Sequence, residues 1–421
     1  MELVKLAIIF LAIIILINFK IRLNIAVAVG AVLGGILYQM GFIHFLQAAW
    51  RGVWNADTIS VIVITYLITF LQRMMEQKGD LILAQRSLSG IFNSRRVNAS
   101  VAPIFIGLLP SPAAAFIAGD MVKSSCGDYL DKNEQAFVTS YFRHIPESCL
   151  PTYSSILLAV SLSGVALSGF LLSMVLPMIL LIALGYLFYL RQVPKDTGLP
   201  PTQHKAQEWR SLAASLWPIA LAIVLVIAVP YIPFASISWF PAGLAEFLAG
   251  FPVWLAVAIS IVLYFFIGRF HYREVAPYFV SAFELNIMLN TVVVMIFKEI
   301  LTESGVIAQL PDALSQLPIP TFLVFALLFL IGTIVGGSTA IVTLCTAPAF
   351  AAIPDGGAPL LMLLMCFSYA AMQVSPTHLC LTLIAEYFDI HFGILVKKTI
   401  PVIAIFMVLI LGYYLLLTWF L

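Results

Sequence analysis

The sequence predicts an all-α polytopic membrane protein with inverted repeats, two re-entrant helical hairpins and two broken transmembrane helices. Three observations support this fold class. The chain is 62% hydrophobic and only 10% charged. Several of its long apolar segments are interrupted by proline or glycine, and these interruptions recur at one spacing in both halves of the chain.

Composition argues against several other classes of protein. Soluble domains carry roughly 45–50% apolar and about 25% charged residues, so this chain of 421 residues is too apolar to be soluble. Its formal net charge of +1 gives no bulk attraction to nucleic acid. The five cysteines are scattered and form no CxxC pair, so we expect neither a disulfide framework nor a metal site. HExxH, GxSxG and Walker A motifs are absent from the sequence, which argues against an enzyme.

The membrane elements follow from the apolar segments, because a spanning helix needs about 20 apolar residues. In chain order we predict spans 3–19, 23–43 and 56–75, a hairpin 99–122, a broken span 136–167, spans 169–190, 212–230, 251–269 and 275–300, a hairpin 319–350, a broken span 359–388 and a last span 399–420. The first segment lacks a basic leader and a small-residue cleavage site, so we interpret it as a retained span and not as a signal peptide.

The basic residues predict the orientation. Residues 191–211 form the longest polar stretch and carry Lys and Arg, which places this linker in the cytoplasm. Counting spans outward from the linker, all Lys and Arg residues fall on the cytoplasmic side except Lys5, Arg51, Arg143 and Lys298. This bias requires both hairpins to be re-entrant, and it places both termini outside.

The linker separates an N-terminal half, residues 1–190, from a C-terminal half, residues 212–421, and the two halves predict an internal repeat. Gly79 and Gly305 each follow a span and are 226 residues apart. The same offset aligns Pro110, Ser111 and Pro112 with Gly336, Gly337 and Ser338. The charge count makes corresponding spans run in opposite directions. Inverted repeats with interrupted helices are how many secondary transporters build a binding site at the membrane midplane.

The interruptions of the two hairpins are therefore candidate binding tips. The N-terminus of a half-helix carries partial positive charge and free amides, which suit an anion, whereas freed carbonyls suit a cation. The predicted substrate-binding residues at the tips are small or carry hydroxyls: Ser111, Pro112, Ala113, Gly337, Ser338 and Thr339. Carbonyls near Pro110 and Gly336 are predicted to help hold a coupling ion. A kink without a ligand, or close helix packing at the glycine pair, is the alternative.

The broken spans contribute polar residues at membrane depth, where charged groups are costly and usually functional. The residues predicted to contact substrate there are Thr152, Ser375, Thr377 and His378. The residues predicted to serve a coupling ion or proton are His144, Glu147, Asn286 and Asn290. Each has a structural alternative: a buried neutral histidine with one hydrogen bond, or asparagines that bond between helices. Arg143 either recognises a carboxylate or extends to the membrane surface.

Three segments resemble one known family. "GLLPSPAAAFIAGDMV", "YFRHIPESCLPTYSSILLA" and "SPTHLCLTLIAEYF" are similar to an uncharacterised prokaryotic membrane family, catalogued as domain of unknown function 401. That family is grouped with the ion-transporter superfamily of secondary carriers, whose members carry citrate, C4-dicarboxylates, gluconate or lactate, or exchange protons for sodium. The resemblance implies a scaffold domain, a transport domain with two re-entrant hairpins, a homodimer and a location in the prokaryotic inner membrane. It supplies no substrate.

The sequence thus predicts a secondary active transporter of a small organic anion (a carboxylate) that works by alternating access. Sodium or protons would drive it, and Na⁺ as coupling ion is the only cofactor considered. Its predicted partners are the anion, the lipid bilayer and a second copy of the chain. The alternative is a cation/proton antiporter on the same scaffold, which would depend on Glu147, His144 and His378. The solute, the coupling ion and the direction of transport stay open.

Overall fold

Helices account for all regular structure in the described part of the computed structural model, apart from one isolated bridge between Ser94 and Asp196. The described residues are 2–107, 113–151, 153–197, 205–229, 252–315, 318–376 and 378–420. Their α-helices are α1 (Glu2–Asn18), α2 (Leu23–Leu37), α3 (Phe42–Val53), α4 (Ala56–Lys78), α5 (Asp80–Phe92), α6 (Arg95–Ile106), α7 (Ala113–Cys126), α8 (Lys132–His144), α9 (Ser154–Ser163), α10 (Leu167–Ser173), α11 (Val175–Phe188), α12 (Lys205–Ala228), α13 (Pro252–Ile267), α14 (Tyr272–Ser281), α15 (Leu285–Glu303), α16 (Val306–Ser315), α17 (Thr321–Gly336), α18 (Ser338–Ala352), α19 (Gly357–Met372), α20 (Leu379–Tyr387) and α21 (Phe392–Phe420).

The chain is a multi-pass membrane protein. Within the described ranges, six helical segments are long and apolar enough to cross a bilayer: Phe42–Lys78, Leu167–Phe188, Lys205–Ala228, Leu285–Glu303, Pro354–Met372 and Phe392–Trp419. Shorter apolar helices, among them α17 and α18, accompany them. All-helical architecture is expected in lipid, because a helix satisfies its backbone hydrogen bonds within one segment.

The helices repeat along the chain at the spacing that the sequence predicts. The starts and ends of α4 to α9 are matched, about 226 residues later, by those of α15 to α20. The backbone at the helix ends repeats as well. Gly79 and Gly305 have φ of 75° and 74°, and Gln39 and Arg269, which follow α2 and α13, both have φ of 54°. The two halves therefore share one order of elements.

Contacts between the halves are also paired. The second limb of each hairpin packs on the broken span of the other half: α18 contacts α9, and α7 contacts α20. In the same way α16 contacts α1 while α5 contacts α12, and α15 contacts α2 while α4 contacts α13. Because each contact has a counterpart with the halves exchanged, the two halves interlock around a shared centre.

Helices α8 and α19 occupy that centre. Every residue from Gln135 to His144 and from Leu360 to Met372 is buried. A capping box fixes the start of α8: the Glu134 amide donates to the Asp131 carboxylate at 2.8 Å, and the Asp131 amide donates to the Glu134 carboxylate at 3.2 Å. Both helices lead directly into the breaks, so the most buried elements of the fold position the polar interruptions.

Both predicted hairpins are pairs of packed helices. α6 contacts α7 and α17 contacts α18, and these pairs correspond to the predicted segments 99–122 and 319–350. The tip of the first hairpin, with Pro110, Ser111 and Pro112, lies outside the described residues. Re-entry of the hairpins from one membrane surface stays a prediction of the charge count.

The observed helices differ from the predicted elements in the following places. The predicted span 275–300 is two helices, α14 and α15, separated at residues 282–284. Its counterpart in the first half is α3 followed by α4, and α3 was not predicted. Both α3 and α14 are short amphipathic helices with charged residues in an otherwise apolar stretch. The length of an apolar segment does not indicate where such a helix ends and the next one begins. In addition, α12 begins at Lys205, inside the predicted linker.

The start of the linker is anchored to the first hairpin. Arg96 donates to the carbonyls of Val193 (2.6 Å) and Arg191 (2.9 Å) and to the hydroxyl of Tyr186 (2.6 Å). Arg95 donates in the same way to the carbonyls of Asp196 and Thr197 and to that of Ser125. Residues 191–197 therefore form a strap across the N-terminus of α6, and residues 198–204 lie outside the described part.

Candidate functional site

A cavity of about 320 Å³ lies where the second hairpin meets the first broken span. Small-molecule sites typically have volumes of roughly 300–1,000 Å³, so this cavity suits a small solute. The residues that line it are Ile17, Leu23, Glu147, Ser148, Tyr153, Ser154, Ser155, Gly336, Gly337, Ser338, Thr339, Ala340, Met365, Tyr369, Met372 and His378. Both halves of the chain contribute, and the polar residues come from the interruptions.

The N-terminus of α18 forms one wall of the cavity. Gly337 has φ of 83° and ψ of 160°, a conformation that only glycine adopts readily, and this lets the chain turn from α17 into α18. Ser338 and Thr339 are the first residues of α18. The Ser338 hydroxyl hydrogen-bonds to that of Ser368 at 2.9 Å, and Ser368 in turn hydrogen-bonds to Thr333 at 2.9 Å. The hairpin is thereby tied to α19 through hydroxyl groups.

The N-terminus of α9 forms a second wall. The break after α8 ends at Tyr153, whose extended backbone precedes the first helical residues, Ser154 and Ser155. Two helix N-termini therefore face one cavity, and each brings two hydroxyl-bearing residues. The first amides of a helix have no partner within the helix and carry partial positive charge, so the pair provides a field and donors for an anion.

Side chains from the breaks satisfy the carbonyls at the ends of the first hairpin limbs. Tyr153 donates its hydroxyl hydrogen to the carbonyl of Gly107, just after α6. Ser375 donates to the carbonyl of Ile334, near the end of α17, at 2.9 Å. Each broken span thus caps the hairpin of its own half, which removes the cost of an unpaired carbonyl in a buried environment.

A cluster of titratable residues lies beside the cavity. The Nε2 atoms of His144 and His378 are 3.0 Å apart, and the rings meet edge to face with centroids 4.8 Å apart. His144 Nδ1 lies 2.6 Å from the carbonyl oxygen of Ser140, which can only accept, so this nitrogen carries a hydrogen. Arg143 Nη1 lies 3.0 Å from His144 Nε2. In the neutral ring this network assigns Nε2 of His144 as an acceptor.

Glu147 completes the cluster. Its Oε2 atom lies 3.8 Å from His144 Nε2 and 4.0 Å from His378 Nε2. This oxygen is buried and has no hydrogen-bond partner among the described residues. Arg143 is 2% exposed, so its guanidinium lies inside the protein and does not extend to the membrane surface. Because a buried charge is costly without a partner, the nearby carboxylate of Glu147 is its natural counterion.

The ligand atoms of His144, His378 and Cys380 lie within 4.8 Å of one another, which is the spacing of a metal site. The guanidinium of Arg143, however, donates to the same His144 nitrogen that a metal would need. A metal ion needs a lone pair from each ligand atom, and the lone pair of His144 Nε2 already accepts from Arg143 and from His378. The residues as arranged therefore do not fit a metal ion.

The structure brings together some of the predicted site residues and not others. Those that line the cavity are Gly336, Gly337, Ser338, Thr339, Glu147 and His378. His144 and Ser375 lie directly behind this lining. Asn286 and Asn290 lie on α15 and are not among the lining residues. Ala113 begins α7. Pro110, Ser111, Pro112, Thr152 and Thr377 lie outside the described residues.

The serines of the first break were not among the predicted site residues. Ser148, Ser154 and Ser155 line the cavity, whereas Thr152 was the one hydroxyl-bearing residue predicted from this stretch. A usable signal was present, because a serine that directly precedes an apolar run marks a helix N-terminus, and "YSSILLAV" has that pattern.

The chain is similar to one protein family in sequence and to known transporters in fold. A family model described as "Protein of unknown function (DUF401)" matches residues 2–417. No curated protein matches the chain in sequence. Among solved structures, MtrF of Neisseria gonorrhoeae matches with a TM-score of 0.58 and 16% identity, over 89% of this chain and 84% of MtrF. The structure of MtrF is described as illuminating a class of antimetabolite efflux pumps.

The YdaH transporter of Alcanivorax borkumensis, whose crystal structure reveals an unusual topology, is also similar. The TM-score is 0.57 and the identity 15%, over 90% of this chain and 88% of YdaH. At such low identity these likenesses show that the chain shares the fold of the two proteins.

Proposed function

The chain belongs to the DUF401 family of proteins of unknown function, and from this premise and the geometry of the cavity we propose that it is a secondary active transporter of a small organic anion. The observation that carries the proposal is the meeting of two helix N-termini, those of α9 and α18, at one cavity. The fold supports it, because MtrF is described among efflux pumps and YdaH as a transporter.

A carboxylate fits the chemistry of the cavity walls. Hydroxyls of Ser338, Thr339 and Ser154, together with amides of the first helical turns, can donate to its oxygens. The apolar side chains of Met365 and Met372 can contact the carbon skeleton. A volume of about 320 Å³ limits the solute to a small molecule.

Alternating access would follow from the way the halves interlock. The wall made by α18 and the wall made by α9 belong to different halves, yet they pack on each other. A movement of the hairpins and broken spans against α1 to α4 and their counterparts would expose the cavity to one side and then to the other. Sodium or protons would supply the driving force.

Ligand-dependent stabilisation tests the proposal. Purified protein is heated with citrate, succinate, lactate or gluconate, with and without sodium. A ligand at 100 times its Kd stabilises the folded state by about 2.7 kcal/mol, which is a measurable rise in Tm. Thr339→Val, which keeps the shape of the side chain and removes its hydroxyl, is expected to reduce this rise.

Ser260→Ala is the matched control, because Ser260 is a buried helical residue that donates only to the Ala256 carbonyl and lies outside the cavity. It should leave the rise in Tm unchanged. The proposal is wrong if no anion stabilises the protein, or if Thr339→Val and Ser260→Ala behave alike.

A second candidate is a cation/proton antiporter on the same scaffold. The observation that favours it is the buried cluster of His144, His378 and Glu147. Proton flux tied to sodium in liposomes that contain no organic anion would support the antiporter over the anion carrier.

A further inference from the structure

We propose that a single proton shared by His144, His378 and Glu147 is the coupling ion, and that its uptake replaces the hydrogen bond between the two histidines with an ion pair to Glu147. The inference rests on the proposed function, since it names the ion that binds together with the anion. It concerns three residues that come from both breaks and that meet beside the cavity.

The first step concerns the hydrogens of the neutral state. A contact of 3.0 Å between two imidazole nitrogens requires a hydrogen on one of them and a lone pair on the other. His144 already carries its hydrogen on Nδ1, which faces the Ser140 carbonyl. His378 Nε2 is therefore the donor and His144 Nε2 the acceptor. Because His144 precedes the first break and His378 follows the second, this bond joins the two halves.

The second step is the addition of a proton. A proton taken from water onto His144 Nε2 removes the lone pair that accepts from His378 and from Arg143, so the new N–H group faces an N–H group of each. The two rings must then separate, and the guanidinium must turn away. Glu147 Oε2 lies 3.8 and 4.0 Å from the two nitrogens and has no hydrogen-bond partner among the described residues, so it is the acceptor for the new imidazolium.

The third step is the charge balance. The titratable and charged groups around the trio are Arg143 on α8, Tyr153 before α9, Tyr369 on α19 and Cys380 on α20. With neutral histidines, the guanidinium of Arg143 balances the carboxylate of Glu147. One added proton leaves the cluster with a net charge of +1 beside the N-termini of α9 and α18.

A positive charge beside the cavity favours an anion inside it. Binding of the proton and binding of the anion are therefore linked. Each ligand raises the affinity of the protein for the other by the same factor. Protonation adds the positive charge and breaks the hydrogen bond between His144 and His378 in the same step. The proton and the anion would accordingly move in the same direction.

Solid-state NMR of protein labelled with ¹⁵N-histidine in lipid bilayers tests the shared proton without any solute. We expect His144 to show the Nδ1–H tautomer at high pH, and His144 and His378 to titrate as one coupled pair as the pH falls. The isosteric Glu147→Gln variant should lower the proton affinity of the pair at least about tenfold, because it removes the carboxylate counterion. His378→Gln should change the titration of His144.

His391→Gln is the control, since this exposed histidine precedes α21 outside the cluster. It should leave the signals of the pair unchanged. The inference is overturned if His144 and His378 titrate independently, or if both Glu147→Gln and His378→Gln leave the titration of His144 as it is.

A second measurement separates this inference from the proposed function. The anion-dependent rise in Tm is repeated without sodium at about pH 5.5 and about pH 8. The wild type should be stabilised more at the lower pH, and His378→Gln should lose this difference. Stabilisation that requires sodium and ignores pH would refute the coupling proton and leave the anion carrier intact. Coupled titration in a protein that none of the anions stabilises at either pH would support the antiporter instead.

Discussion

The close approach of Gly107 to α8 shows how one residue fixes the first hairpin. A Cβ atom added at Gly107 would lie 2.0 Å from the carbonyl oxygen of Arg143, and backbone cannot yield as a flexible side chain does. We expect Gly107→Ala to push α6 away from α8 and to lower the free energy of unfolding by about 3 kcal/mol. Thermal unfolding measures this loss, and an unchanged Tm would contradict the placement of α6.

Gly412→Ala is the control for Gly107→Ala, because no atom in the described part of the chain lies within 4 Å of a Cβ added at Gly412. Gly412 lies inside α21, where alanine is favoured over glycine by up to about 1 kcal/mol. We therefore expect this variant to be neutral or slightly more stable.

Gly336 and Gly337, at the tip of the second hairpin, should respond differently to replacement by alanine. Gly337 has φ of 83°, so Gly337→Ala is strained by roughly 1–3 kcal/mol whatever space is available. Among the described residues, a Cβ added at Gly336 would meet only Ala340, at an ordinary 3.6 Å, so Gly336→Ala should be tolerated. We expect Gly337→Ala alone to lower the Tm and to reduce the stabilisation by the anion. Equal effects of the two variants would show that the tip has another conformation.

The candidate site could be predicted from the sequence where the backbone itself carries the signal. Gly336 and Gly337 were identified as a break, and Glu147 was identified as a charge at membrane depth, because both are anomalous within apolar segments. The contact of His144 with His378 could not be predicted, since 234 residues separate them and no periodicity links them. Asn286 and Asn290 were predicted as ion-binding residues because they share a helix face. A shared face does not indicate which element that face contacts.

At the scale of elements, the strap formed by residues 191–197 ties the linker to the first hairpin. Arg96 makes two hydrogen bonds to it, to the carbonyls of Val193 at 2.6 Å and Arg191 at 2.9 Å, and a third to Tyr186 on α11. We expect Arg96→Gln to release the strap, because glutamine lacks the planar fork of donors. Trypsin should then cleave after Arg191 and Lys195 about tenfold faster, since cleavage follows the population of the open form.

Arg86→Gln is the control for the strap, because Arg86 is an exposed residue on α5. This variant should be cleaved in the linker at the rate of the wild type. If Arg96→Gln is cleaved no faster than Arg86→Gln, the strap does not depend on Arg96, and its attachment through Arg95 would have to suffice.

Breaks within an apolar segment can be predicted from the sequence only where a residue type marks them. The hairpins and broken spans were predicted because proline or paired glycines mark them. The division between α14 and α15 falls at residues 282–284, where neither residue type occurs. Pro277 lies in the middle of α14, so proline marks this region but not the break itself.

At the scale of the whole molecule, the repeat was visible in the sequence only as a common spacing of breaks. Side-chain identity between the halves is low. What must be kept is the order of helices and the pairing of contacts such as α7 with α20 and α9 with α18. The pattern of backbone interruptions therefore predicts the order of the helices. The polar groups that line the cavity depend on side chains that differ between the halves.

The orientation of the halves gives a prediction for the complete protein in its membrane. The charge count places the strap in the cytoplasm and α16, the counterpart of α5, outside. Lys195 and Asp312 are both exposed. We expect a membrane-impermeant maleimide added to intact cells to label Asp312→Cys, and to label Lys195→Cys only after the membrane is opened.

The native cysteines should give little background, because Cys126, Cys149, Cys345 and Cys366 are buried and Cys380 is half-buried. Labelling of both introduced cysteines from the same side would mean that the strap and α16 face one surface. The repeats would then be parallel, the hairpins could not both be re-entrant, and the cavity would lie away from the membrane midplane. An anion carrier that alternates between two sides needs the opposite result, so this labelling tests the architecture on which the proposed transport depends.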